Sequence, residues 1–220
     1  MKRLSGIPGY PRTARRRWLA MASAWLLLAG CSGGLKSNQP SAQVYLLRPG
    51  MAPAAAAAAP AVGNVQVMLP QVSAGLATDR IVVLRSGRRL DYYSGARWAA
   101  PVPAMLQMLV IDALRASNRF AMVESDTGPF PAEYVLSLEL RHFEAEYTTS
   151  GPPMVHVALD ASLGRRGKRD IIVSCSADAQ VNADADRMQA VVAAFEQATG
   201  DALSQLAARI AVPAAPAAPP

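Results

Sequence analysis

Cys31 is the residue in this sequence best placed for covalent chemistry. It closes the run Leu28-Ala29-Gly30-Cys31, behind an apolar stretch from Trp18 to Ala29 and an arginine cluster of Arg12, Arg15, Arg16 and Arg17. Small side chains at Ala29 and Gly30 give a peptidase the narrow approach it needs to the bond before the cysteine. As a helix at ~1.5 Å per residue, the apolar stretch would span roughly 18 Å, well short of the ~30 Å hydrocarbon core. Charge, length and the four residues before and at the cleavage point therefore read together as a lipoprotein signal, residues 1–30, removed before Cys31. An ordinary secretory signal with a chance cysteine is the alternative. Acylation of the thiol and of the new amino terminus gives the chain two or more acyl groups, and at ~0.8 kcal/mol per buried CH₂ these form a stable anchor where one is marginal.

The other residues with chemical capacity are few. Cys175 lies in Ile171-Ile172-Val173-Ser174-Cys175-Ser176-Ala177, on the apolar side of an alternating pattern. A free cysteine packs like a small apolar group, so it is expected in the core. With Cys31 lipidated, no intramolecular disulfide is left to form. His142 and His156 are the only histidines. They can meet across paired strands, with Glu144 or Asp160, as metal ligands. A site needs three or four ligands in fixed geometry, so the expectation is two wet-face histidines on a hairpin and no metal. Arg85, Arg88 and Arg89, and the turn Arg165, Arg166, Lys168 and Arg169, are the strongest local charges. They suit anionic lipid head groups, although such runs more often solvate a turn. No nucleophile elbow, phosphate loop, His-Glu-x-x-His or dinucleotide fingerprint occurs, which points away from an enzyme and from a cofactor and toward binding or assembly.

Charge supports that direction. The chain has 22 basic and 16 acidic residues, a formal net charge of +6. Lys2, Arg3 and the four signal arginines precede Cys31, and no Asp or Glu does. The remaining 16 basic residues balance the 16 acidic ones. The basic character belongs to the signal, and the case for a nucleic-acid partner goes with it.

The elements that position these residues form one domain over 43–212. Residues 31–42 make a polar tether, 49–61 a Pro/Ala-rich loop, and 213–220 a Pro/Ala tail expected to be disordered. Strands are expected at Val44–Leu47, Val65–Met68, Ile81–Leu84, Arg89–Tyr93 and Phe120–Val123. Longer alternating strands follow at Tyr134–Tyr147, Val155–Leu163 and Asp170–Val181, with a change of phase near His142-Phe143 that suggests a bulge. Apolar residues recurring every three and four positions give helices over Ala104–Ser117, entered through Pro101 and Pro103, and about Asp186–Ala211. The result is an α+β domain, a mixed and mostly antiparallel sheet with two main helices packed on one face. Those stripes and one sheet face account for the apolar residues, so no deep cargo pocket is expected.

In order along the chain, Tyr45-Leu46-Leu47-Arg48-Pro49, Val67-Met68-Leu69-Pro70, Asp79-Arg80-Ile81-Val82, Leu90-Asp91-Tyr92-Tyr93 and Arg97-Trp98-Ala99-Ala100-Pro101 resemble the ABC-type transport auxiliary lipoprotein family, which includes the PqiC-like lipoproteins. Members often carry an acid where Ala100 stands. The resemblance implies a periplasm-facing accessory subunit of an MCE-type lipid transport system. Its partners would be an MCE-domain protein and an ABC permease and ATPase, with self-association compatible. In the lipoproteins of double-membraned bacteria that the signal resembles, a serine such as Ser32 after the cysteine favours the outer membrane over the inner one. Tyr92, Tyr93, Arg97 and Trp98 are expected at the partner contact, because aromatic residues and arginine dominate interface energies. The alternative is that Trp98 packs as core beneath the helix that follows. Two other functions stay open: a different envelope-assembly lipoprotein, serving outer-membrane protein or lipopolysaccharide insertion, and a lipid-anchored hydrolase.

Overall fold

The computed structural model describes residues 41–50, 62–86, 89–148 and 151–210. The signal with Cys31, most of the tether, nearly all of the Pro/Ala loop, Arg88 and the tail lie outside the described residues. No helix of the described residues is long and apolar enough to cross a membrane.

The sheet is organised around β7 (Tyr134–Tyr147), its longest strand. Along one edge of β7 lie β2 (Val62–Val67), β3 (Gln71–Val72) and β4 (Arg80–Arg85) in succession, all parallel to it. Along the other edge runs β8 (Met154–Arg165), antiparallel, followed by β9 (Ile171–Asn182). β6 (Phe120–Ser125) extends the sheet beyond β2. β5 (Arg89–Trp98) pairs with β4, and β1 (Gln43–Tyr45) with β5. The sheet is mixed, as expected, and its parallel share is larger than alternation alone revealed. Alternation reports which face is covered and is blind to the direction of the neighbour.

One face of this sheet is dry. Leu136, Leu138 and Leu140 of β7 point into it with Val155, Val157, Leu159, Ala161 and Leu163 of β8, all nearly inaccessible. A register shift between Leu140 and His142 turns the phase of β7. Beyond it Phe143 and Ala145 face the core and His142, Glu144 and Glu146 share the opposite face. The expected bulge is thus present, one step before the predicted place. Each fully buried Val, Leu or Phe side chain is worth about 1.5–3 kcal/mol relative to leaving it exposed. Ile171, at the frayed start of β9 and 67% exposed, contributes little of this.

Two helices cover the dry face. Helix α1 (Val102–Ala116) starts at Pro101 with Pro103 in its first turn, where a missing N–H is no loss. It ends where Asn118 takes φ 52°, a left-handed conformation that Asn tolerates better than most residues. The Ser117 hydroxyl donates to the Leu114 carbonyl, and the Arg115 guanidinium donates twice to the Val123 carbonyl of β6, fixing the last turn to the sheet. Helix α2 (Met188–Arg209) packs on β8 and β9 and also touches α1. Its buried Ala190, Ala194, Ala198 and Ala202 bring its axis close to the sheet. At Gly200 the approach is closest, because a Cβ there would lie 2.6 Å from the Gly50 carbonyl oxygen of the segment after β1. The Arg48 amide, just before it, donates to the Glu196 carboxylate of the same helix at 3.0 Å.

Candidate functional site

β5 carries the four residues expected at a partner contact. It is a ten-residue strand where only its first half was expected, and Gly95 at φ 69° turns it midway. Past Gly95 the strand alternates, with Ala96 and Trp98 inward and Arg97 outward. Trp98 is 1% exposed and is core. Its ring meets Phe195 of α2 edge-on, with centroids 5.2 Å apart, and lies 6.0 Å from Phe143 of β7. Truncating such a tryptophan to alanine costs about 3–5 kcal/mol. Trp98 therefore leaves the surface set, because its large apolar ring holds strand, sheet and helix together.

The other three stay within reach of solvent. Arg97 is half exposed, 3.5 Å from the Asp79 carboxylate. Tyr92 is half-buried, with the Arg80 guanidinium 3.8 Å above its ring centroid. Tyr93 and Tyr147 share a hydroxyl–hydroxyl bond of 2.9 Å, and the Tyr147 hydroxyl donates to Asp186 at 2.5 Å. Burial, and next the bond with Tyr147, push the Tyr93 phenol far above its ordinary value. Val44 of β1, the register partner of Arg97, is 54% exposed and Leu46 is 56% exposed. The outer edge of β1 and β5 thus presents apolar side chains beside a cation.

On the helix-free face the two histidines come together. Glu144 pairs with His156 across β7 and β8, and the rings of His142 and His156 stack with centroids 4.2 Å apart. His142 Nδ1 lies 2.5 Å from Glu144 Oε1, while the Phe143 amide donates to Glu144 Oε2 at 2.6 Å. His156 Nδ1 lies 3.5 Å from Glu146 Oε1, and its Nε2 faces Asp178 of β9 at 3.1 Å. His156, expected on a wet face, is only 9% exposed, and Glu144 only 7%. Flanking strands β7 and β9 enclose it on both sides. Asp160 does not join them; it bonds Arg141 at 3.0 Å, and hydrogen bonds from Ser176 and then Arg141 hold its carboxyl below the usual range. Glu146, which sequence reasoning missed, takes its place. The signal was present in His142-x-Glu144-x-Glu146, three residues that share one face once the bulge has reset the phase.

Cys175 is partly buried, paired with Ala161 within the β8–β9 ladder and packed against the core, and burial raises its thiol. The basic clusters serve the fold in part. Arg166 donates to the Ala132 carbonyl and to Gln66, and Arg85 pairs with Asp91 at 3.4 Å while lying over the Tyr147 ring.

These features define an α+β domain with a nine-stranded mixed sheet. The chain belongs to the family of ABC-type transport auxiliary lipoprotein components, whose family model matches residues 45–211. It is thereby an envelope lipoprotein, anchored to a membrane, and an auxiliary component of an ABC-type transport system, in a family that is not one of enzymes. Among solved structures it is similar to protein XCC0632 of Xanthomonas campestris, of the DUF330 family, at 26% identity and a TM-score of 0.68, over 76% of this chain and 93% of that one. A second structure, of an uncharacterised protein, shares the fold at 14% identity and a TM-score of 0.59, covering 77% of this chain and 98% of that one. No curated protein matches the chain.

Proposed function

We propose that this protein is the periplasm-facing lipoprotein of an MCE-type ABC transporter, anchored through acylated Cys31 in the outer membrane, where it docks the lipid-transport assembly. The observation that carries the reading is the family match over 45–211 directly downstream of the Leu28-Ala29-Gly30-Cys31 run. Together they combine a membrane anchor with a transporter-associated domain in one short chain. The docking surface includes the β1–β5 edge, where Arg97 supplies a directional charge beside exposed Val44 and Leu46, with Tyr92 and Tyr93 farther back along β5 supplying aromatic area.

Affinity purification of the lipoprotein from cross-linked envelopes tests this. An MCE-domain protein and an ABC permease are expected in the eluate. Arg97→Ala should lower their recovery at least tenfold while barely moving the melting temperature, since the Arg97–Asp79 pair it removes is exposed and worth little. Recovery of outer-membrane protein or lipopolysaccharide insertion machinery in their place refutes the reading.

A further inference from the structure

We infer that His142, Glu144, Glu146 and His156 form a binding site for one divalent transition-metal ion, of the zinc type, on the helix-free face of the sheet. Each offers a ligand atom, and these atoms all lie within 4.8 Å of one another. The donor set, two imidazole nitrogens and two carboxylate oxygens, is one that zinc accepts in a four-coordinate site. The strands place it well: three ligands alternate along β7 beyond the bulge, and the fourth stands opposite Glu144 on β8.

Charge and orientation point the same way. Glu144 and Glu146 sit side by side, Glu144 nearly inaccessible, and a buried carboxylate is retained where a counter-charge or a metal compensates it. Arg141, on the same strand, is committed to Asp160. The groups bonded to the two glutamates are the imidazoles and the Phe143 amide. Glu144 Oε2 is held by that amide, which leaves Oε1 toward the cluster. The Nδ1 atoms of both histidines face these carboxylates. His156 Nε2 is meanwhile held by Asp178, with Gln180 at 3.5 Å. A carboxylate behind the far nitrogen of a ligating histidine is the arrangement that fixes its tautomer and ring.

Loading the site requires a modest movement. Zn–N and Zn–O bonds of about 2.0–2.2 Å bring donors to roughly 3.4 Å from one another. The two stacked rings, only 13° from parallel, cannot both aim in-plane at one ion, so the His142 ring must swing out. With its side chain 40% exposed it is free to do so. The bound ion ties β7 to β8 just past the register shift.

The test uses the mature, untagged lipoprotein in detergent micelles, stripped with a chelator. Titration with Zn²⁺ in a calorimeter should give one equivalent with micromolar or tighter affinity, and Zn²⁺ should raise the melting temperature by several degrees. His142→Gln and Glu144→Gln should each weaken binding at least tenfold, and Asp178→Asn about tenfold through the His156 ring. Because the chain has only two histidines, X-ray absorption of the zinc-loaded native protein reads the site without any variant. Imidazole scattering supports the assignment even where a variant fails to fold. Absence of saturable binding, a zinc spectrum without imidazole, or full affinity in a folded His142→Gln protein overturns it.

Discussion

At the scale of single residues, the same side-chain chemistry takes opposite roles according to strand phase. Tyr93 and Trp98 both lie on β5, and the sequence places both as candidates for a partner contact while leaving Trp98 open to a core role. Trp98 is enclosed by Phe143 and Phe195, whereas Tyr93 ends in a hydroxyl chain running through Tyr147 to Asp186. No residue count distinguishes them, because the left-handed Gly95 between them resets which side chains face inward. The Tyr93 chain has a consequence at high pH. Its phenol is raised above the ordinary value near 10 by burial, so the folded state holds this proton where the unfolded chain releases it. Stability from this group is complete below about pH 10 and declines as pH rises past it. Phenolate absorbance during alkaline titration should therefore show tyrosine ionising later than the exposed phenols, and Tyr93→Phe should remove part of that delayed step. A Tyr93 that titrates with the exposed tyrosines would disprove the burial argument.

At the scale of elements, the periodic segments were legible and the short or displaced ones were not. β7 carries its alternation over Tyr134–Tyr147, and the structure returns the same bounds, with each inward Leu buried on the covered face. Helix α1 is readable from Pro101, Pro103 and Asn118, whose backbone preferences set its two ends. β3, only two residues long, is held by pairing with Glu139 and Leu140 of β7 and has no local pattern to find. Cys175 lies on the core side with Ala177, as its alternation predicts, but is only partly buried because β9 reaches full cover at Ala177. The histidine pair was foreseen across strands, while its partner Glu146 depended on a bulge whose register sequence does not fix. Helix α2 adds a case in which propensity and packing oppose each other. Replacing Gly200 with alanine gains about 1 kcal/mol of helix propensity in isolation. Here the added methyl meets the backbone carbonyl of Gly50, which cannot rotate away as a side chain would. Gly200→Ala should therefore lower the melting temperature and loosen the segment after β1, seen as faster amide exchange at Arg48. A stabilised variant would show that this segment yields easily.

At the scale of the whole molecule, the proposed role in lipid transport raises the question whether this domain carries lipid itself. A pocket able to cover a lipid-sized ligand encloses roughly 300–1,000 Å³ lined mainly by apolar groups. The enclosed apolar space between α1 and β7, among Pro70, Leu106, Val110, Leu138, Leu140 and Leu159, amounts to about 10 Å³. That is room for a water molecule at most, and none for an acyl chain. The depression beside β3, lined by Gln71, Val72, Ser73, Glu139, Leu140, Arg141 and His142, is open and mainly polar, so it would cover an acyl chain poorly. Trp98, Phe143 and Phe195 fill the interval between sheet and α2. Neither of these two spaces suits an acyl chain. Cys31→Ala protein extracted without detergent should carry substoichiometric phospholipid by mass spectrometry. One phospholipid per chain, retained through purification, would require the helices to part from the sheet and would make this domain a carrier.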